Sequence, residues 1–359
     1  MKKKVIIGVS ILLGLVLLAI VGAIVYYNVS LTPVGGNKTV IFNINEGMSA
    51  SSVIKKLKSE GLIKDELIAK YQHSSCNCMF QAGEYELNTD MSMKEILEKL
   101  YSGNVINKNI KVTFKEGKRI TDYVDVIANN FNYSKEDIFK VISDKDYLNE
   151  LVNNYWFITN SILNDNLYYA LEGYLYPDTY EFDPNSSIKE IINKLIKTMQ
   201  NNLENFKEKI ESSSYNVHQI LTLASIIELE AAEENDRLDV GGVFYNRLNN
   251  GWTLGSDVTT YYASKKTFQD VLTYQDLQDC NYYNTRSNCV TSLPIGPISS
   301  PSLSSIKAAI EPNTNDYFFF VSDARKKVYF SKTAQEQSQV IQSLKAANLW
   351  LEWCHYFKI

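Results

Sequence analysis

The chain opens on an unbroken apolar block and then changes to alternating and helical patterns. Residues 5–27 carry no charge, and Ser10 is the one strongly polar side chain among them. A helix of that length crosses a hydrocarbon core of about 30 Å with some tilt. Lys2, Lys3 and Lys4 precede it and are expected to stay in the cytoplasm, while Tyr26 and Tyr27 fall where an interfacial aromatic belt belongs. A cleaved signal peptide fits less well. The apolar run exceeds the usual h-region of about 7–15 residues, and Tyr-Tyr-Asn-Val-Ser does not look like an A-x-A cleavage site. Residues 1–4 therefore read as a cytoplasmic tail, 5–27 as a transmembrane helix and 28–38 as a linker, with Pro33, Gly35 and Gly36 and no periodicity. This predicts a single-pass protein of the cell membrane whose bulk lies outside the cytoplasm, where cytosolic metabolites are absent and the cell wall is the nearest polymer.

Beyond the linker, short strand–turn–helix units recur. Residues 39–45 alternate as a strand, Glu46-Gly47 turns, and 49–60 have helical spacing through Val53, Ile54 and Leu57. Residues 83–87 read as a strand and 92–100 as a helix opened by a Ser92/Glu95 capping box. Residues 111–115, the Glu116-Gly117 turn and 120–131 repeat the first pattern. From about residue 134 the chain is helix-rich, with helical periodicity over 136–142, 188–210 and 217–234. A strand pair, 317–322 with 327–330, and a helix over 333–347 follow. The expected fold class is α+β: a small module over 39–108, a mixed α+β catalytic domain over 109–347, and a C-terminal tail over 348–359.

Composition narrows the picture. Of 359 residues, 45% are apolar and 21% charged, which excludes a mainly disordered chain. The net charge of −5 argues against a nucleic-acid binder, which usually shows a basic face. Twenty-four tyrosines suit a wet core edge or a sugar-binding cleft, because the ring packs on apolar surface while its hydroxyl bonds. Five cysteines in an exported chain leave at least one unpaired; Cys280 and Cys289 can close a short loop. His73, Cys76 and Cys78 resemble half of a metal site, but no second half appears, so no metal or other cofactor is expected.

The segment most telling for chemistry is LTLASIIELEAA (221–232), an apolar helix with carboxylates inside it. The i±3 and i±4 neighbours of Glu228 are Ala224, Ser225, Ala231 and Ala232, all small and none cationic. The expectation is an open groove beside a carboxyl group with no ion pair along the helix, its pKa raised by desolvation as a general acid requires. The plainer alternative is a Glu bonded to a buried backbone group or to an Arg such as Arg247. Glu230, with Glu233, Glu234 and Arg237, reads as a surface ion-pair group.

Six stretches, this segment among them, stand in order: LEGYLYPDTYEF (171–182), LASIIELEA (223–231), GGVFYNRLNNGWTLGSD (241–257), YNTR (283–286), SLPIGPISSPSLSSIKAAIEP (292–312) and YFFFVSDARKKVYFSKT (317–333). Together they make the chain resemble the endolytic murein transglycosylases of the MltG (YceG-like) family, from the membrane helix to about Ala346. The resemblance implies a LysM-like module in the N-terminal portion. It also implies cleavage of peptidoglycan glycan strands between N-acetylmuramic acid and N-acetylglucosamine, with a 1,6-anhydro-muramyl end and no water consumed. The catalytic glutamate of the family, the first acid of A-S-I-x-E, falls on Glu228. Asn246, Asp257, Thr259, Asn284 and Ser299 lie on matching motifs and are candidates for binding acetamido or hydroxyl groups, or else turn scaffolding. Glu172 completes the candidate substrate-binding set, read there as a supporting partner or a cap, and Pro294, Gly296, Pro297 and Pro301 shape a cleft wall. Departures are Val258 where the family usually has Pro, Ile295 within G-L-P-P-G, and no His near Phe330 or Gln337. The expected partners are glycan strands, peptidoglycan synthases and other wall-assembly proteins. The alternatives are a non-catalytic wall-binding scaffold and a lysozyme-like hydrolase with Asp257 as second carboxylate.

Overall fold

The computed structural model describes residues 2–76, 78–106, 109–231 and 233–350; Cys354 and most of the segment read as a C-terminal tail lie outside the described residues. The chain divides into two compact units, Met1–Lys108 and Asn109–Ile359.

The first unit begins with helix α1 (Lys2–Leu31), whose residues Ile6–Leu31 are long and apolar enough to cross a membrane. It runs through the first residues read as linker and stops just before Pro33, which cannot continue a helix, and the left-handed Gly35 and Gly36. Strand β1 (Thr39–Ile44), helices α2 (Ala50–Ser59) and α3 (Glu66–Ser74), strand β2 (Gly83–Asn88) and helix α4 (Met93–Ser102) follow. β1 and β2 pair antiparallel, from Thr39 opposite Asn88 to Ile44 opposite Gly83. Alternation sends Phe42, Ile44, Tyr85 and Leu87 to one face. Val53, Ile54 and Leu57 of α2 and Ile96, Leu97 and Leu100 of α4 join them in one core. The Ser92/Glu95 capping box opens α4 as expected. Cys76 is disulfide-bonded to Cys78, and His73 is stacked on Phe80 and bonded through Nδ1 to the Tyr101 hydroxyl at 3.1 Å. These groups are thus engaged with one another and with aromatic rings, which removes the half-site reading.

The second unit contains β3 (Ile110–Phe114), α5 (Ile120–Asn130), α6 (Lys135–Ile142), α7 (Lys145–Asn154), β4 (Asp178–Phe182), α8 (Ile188–Glu204), α9 (Lys207–Ser212), α10 (Val217–Glu230), α11 (Glu234–Asn249), α12 (Asp257–Ala263), α13 (Tyr274–Gln278), α14 (Leu303–Ile310), β5 (Phe319–Ser322), β6 (Val328–Ser331) and α15 (Ala334–Ala346). β3 pairs antiparallel with β4, and β5 with β6. The fold is mixed α+β. The helix read over 188–210 is two helices, α8 and α9. The one read over 217–234 ends at Glu230, because Ala231 leaves the helical region (φ −118°, ψ 111°). α10 is the central helix: residues 220–228 are all buried, as expected of a segment that is apolar or small on every side. α11 and α14 pack against it. Cys280 and Cys289 are disulfide-bonded, closing the loop anticipated for them.

Candidate active site

Three elements converge on Glu228: the C-terminal turn of α10, the start of α11, and the segment 299–305 that leads into α14. Glu228 is 9% exposed. Its Oε2 accepts three hydrogen bonds, from the Ser302 backbone N–H (2.9 Å), the Ser302 hydroxyl (2.6 Å) and the Ser305 hydroxyl (2.7 Å). Ser302 is the N-cap of α14, so the carboxylate sits at a helix N-terminus, where backbone N–H groups and the helix dipole favour negative charge. Its Oε1 accepts from Arg237 Nη2 at 3.0 Å. Arg237 also donates to the hydroxyls of Ser302 (2.7 Å) and Ser304 and to the Ala231 carbonyl (3.3 Å), so one guanidinium ties the carboxylate to its serine partners.

This corrects two sequence expectations. Glu228 does have a cationic partner, so its contacts are those of the plainer alternative, a buried backbone N–H and an Arg; that Arg is Arg237 and not Arg247, and it had been placed in a surface cluster with Glu230. Helix spacing missed the contact because α10 ends at Glu230 and the chain turns back. Arg237 therefore reaches Glu228 across a helix–helix corner rather than along one helix.

A turn over residues 115–118 forms another wall. Gly117 N–H donates to Ser300 O and Ser300 N–H donates to Lys118 O, both at 2.8 Å. Gly117 has φ +68°, and a Cβ there would lie 3.4 Å from Leu229 Cδ2 and 3.7 Å from Glu228 Cγ. Glycine thus supplies both the left-handed turn and the close approach to the carboxylate helix. Gly173 (φ +76°) is pressed more tightly: a Cβ would fall 2.4 Å from Pro297 Cβ, so Pro297 does shape a packed wall, against the 171–175 segment.

Glu230 is not a surface ion-pair residue. It is partly buried, its carboxylate accepts from the Ser256 hydroxyl, and desolvation pushes its pKa up; Asp257 adds to that rise, and Arg247 and Arg286 counter it. Glu172 is 1% exposed. Its Oε1 accepts from Ile120 N–H (2.9 Å) at the start of α5 and its Oε2 from the Tyr262 hydroxyl (3.0 Å), so it caps α5, as one of its two sequence readings had it. Burial raises its pKa to about 8, against the smaller opposing pulls of those two bonds and Arg119.

The other candidates hold the frame. Thr259, Asn284 and Ser299 are fully buried. Thr259 Oγ1 donates to Ser256 O (2.6 Å) and accepts from Thr285 N–H (3.1 Å). Asn284 donates to the carbonyls of Asp276 and Asp279 and accepts from Thr260. Ser299 donates to Ser225 O (3.1 Å). Asn246 donates to Asn315 O (3.0 Å) and Tyr317 O (2.9 Å), tying α11 to the approach of β5. With their bonds spent inside the protein, these residues fit the scaffolding reading. Asp257 is half-exposed and paired with Arg286 at 3.2 Å. A cavity of about 500 Å³ beside α6 and α7 is lined by none of them.

A family model described as YceG-like matches residues 42–343. The chain belongs to the YceG-like family. A relative from Bacillus subtilis (strain 168) named endolytic murein transglycosylase is 37% identical over 330 residues, 90% of each chain. One of the same name from Streptococcus pneumoniae serotype 2 (strain D39 / NCTC 7466) is 31% identical over 355 residues, 92% of this chain and 64% of that longer protein. The crystal structure of a yceG-like protein from Listeria monocytogenes is similar with a TM-score of 0.61 at 32% identity, covering 85% of this chain and all of that one.

In this YceG-like chain, sequence reasoning missed Arg237, Ser302 and Ser305. A signal for the serines was present, since SPSLSS places hydroxyls three apart at a helix start, where they cap and can also reach an anion. Arg237 carried none, because its partner is set by tertiary packing.

Proposed function

We propose that this protein is a peptidoglycan lytic transglycosylase held at the cell membrane by α1. Membership of the YceG-like family and 37% identity to an endolytic murein transglycosylase over 90% of both chains support the activity. The substrate is the glycan strand, cut between N-acetylmuramic acid and N-acetylglucosamine. The observation that carries the assignment of the acid is the place of Glu228: the first acid of A-S-I-I-E, on the central helix, with its carboxylate ringed by donors. Oε2 is anchored by three of them and Oε1 by Arg237 alone, so Oε1 is the oxygen we assign to proton exchange.

In the first step Glu228, which has to enter protonated against the pull of Arg237 and the serine donors, gives its proton to the glycosidic oxygen while the C1–O bond breaks and positive charge grows on the muramyl ring. The resulting carboxylate then takes the proton of the C6 hydroxyl as O6 bonds to C1. The proton count balances and no water enters. Arg237 and the serines stabilise the carboxylate between the two steps. Most glycosidases need two carboxyl groups. Here the nucleophile belongs to the sugar, and a well-aligned intramolecular attack has an effective molarity that can exceed about 10⁵ M.

The wider arrangement belongs to the same proposal: residues 1–4 cytoplasmic, 5–27 in the bilayer, the rest of α1 and a linker over 32–38, 39–108 a LysM-like wall-binding module, 109–347 the catalytic domain and 348–359 a tail. Glycan strands are the substrate and peptidoglycan synthases the neighbours. A second reading, a non-catalytic wall-binding scaffold, draws on the Arg237 contact, which a purely structural carboxylate would also make.

The test is digestion of isolated glycan strands by the full chain in detergent, with products weighed by mass spectrometry. Anhydro ends, one water lighter than reducing ends, are expected, and Glu228→Gln should lower their rate by about 10²–10⁴-fold with the fold intact. Reducing ends would mean hydrolysis. No cleavage by the wild type would leave the scaffold, and equal rates would remove Glu228 from the chemistry.

A further inference from the structure

The first unit holds α3 against the exit end of α1 by contacts at both ends of the shorter helix. The Tyr26 hydroxyl donates to the carboxylate of Asp65, the N-cap of α3. The Gln72 amide, two residues before the end of α3, donates to the Tyr27 hydroxyl, and the rings of Tyr27 and Tyr71 meet edge to face at 6.3 Å. Lys64 Nζ, just before α3, donates to Thr32 Oγ1 at 2.6 Å. The inner side of α3 is ordinary core packing, with Ala69 fully buried. Its outer side is not ordinary: Leu67 is 75% exposed and Tyr71 60%, one helical turn apart on the same face.

An exposed Leu–Tyr pair on a nine-residue helix is a poor match for water but a good one for the boundary between lipid headgroups and acyl chains. Tyr26 and Tyr27 mark the depth at which the apolar helix leaves the hydrocarbon. α3 is tied to those two tyrosines, so it shares their depth. Lys58 and Lys64 add cationic tips beside the exit, Lys58 Nζ donating to Lys64 O at 2.5 Å. Such residues attract anionic lipid headgroups.

We infer that α3 is a membrane-contact element: its Leu67/Tyr71 face lies in the headgroup region, and the first unit rests on the lipid surface instead of swinging from a free tether. This depends on the reading of α1 as the anchor. It commits the face to lipid rather than to a protein partner, because the surface is continuous with the apolar helix itself.

The experiment uses the full chain in vesicles of phosphatidylglycerol and phosphatidylcholine whose acyl chains are brominated. Leu67→Trp, and Tyr71→Trp as a second reporter, are compared with Glu46→Trp in the exposed turn after β1, each corrected for the protein's four native tryptophans. The added emission at 67 and 71 should fall by about half, as for a side chain 5–10 Å into the interface, and that at 46 should not change. If the protein floats with the vesicles but positions 67 and 71 are quenched no more than 46, the contact is absent and the anchor stands. If the protein does not float, the anchor reading fails and this inference fails with it.

Discussion

Glu228 and Glu230 lie two residues apart on one helix, point about 200° apart, and meet opposite surroundings. Glu228 faces a guanidinium, two serine hydroxyls and a backbone N–H at a helix start. Glu230 faces one serine hydroxyl; its two nearby arginines offset its desolvation only in part, so its pKa rises. Glu172 behaves like Glu230, with one hydroxyl and one backbone donor and a pKa near 8. Burial alone therefore does not decide what a carboxyl group is for. The donors aimed at it do, and only one of the three has a full set.

The largest effect expected from this contrast is on stability against pH. In the unfolded chain Glu172 releases its proton near 4.5, as an ordinary glutamate does, and in the fold near 8. Between those values the folded protein holds a proton that the unfolded chain has lost. Stability therefore falls as pH rises through the window and levels off above it. The full fall is on the order of 5 kcal/mol. Glu172→Gln keeps an acceptor for Ile120 and gives Tyr262 a donor, so it should abolish this component. Urea unfolding at pH 5 and pH 8 checks it: the variant should lose less stability between the two than the wild type. An unchanged pH slope would separate Glu172 from Glu230.

Arg237→Ala comes next. It strips the cation from a buried pair, which typically costs about 3–5 kcal/mol, and its side chain is only 8% exposed. The contrast sharpens in the double variant. Once Glu228→Gln has removed the charge, Arg237→Ala should cost less, with a coupling of at least about 1 kcal/mol by urea unfolding. Additive losses would mean that Arg237 serves the serines and not the carboxylate.

Much of the frame was legible from the chain. The alternation over 39–45 and 83–87, the Ser92/Glu95 box and the hairpin around Asp323 all appear where local rules put them, because each depends on neighbours in sequence. β4 was not read: Thr179-Tyr180-Glu181-Phe182 does alternate polar and apolar, but the run is only five residues long and its partner β3 lies more than sixty residues away. The break after Glu230 was missed for a related reason. No Gly or Pro marks it, and the Ala231 carbonyl is instead taken up by Arg237. At the site, Glu228 was legible as an acid among small residues, while its partners were not. Ser302, Ser305 and Arg237 arrive from segments that only the packing of α10, α11 and α14 brings together.

The smallest effect is the most discriminating. Glu230→Gln removes a carboxyl group whose ionisation the fold disfavours relative to the unfolded chain, and the amide can still accept from Ser256. At pH 5 its stability should lie within about 1 kcal/mol of the wild type. As pH rises the variant should gain on the wild type, because the wild-type fold resists ionising Glu230 while the unfolded chain does not. Strand cleavage should stay within about tenfold, against the 10²–10⁴-fold loss expected for Glu228→Gln. Comparable losses in both variants would break the contrast. Glu230 would then be a residue that positions the end of α10, since two side chains about 200° apart on one helix cannot flank one glycosidic bond, and the products would still carry anhydro ends.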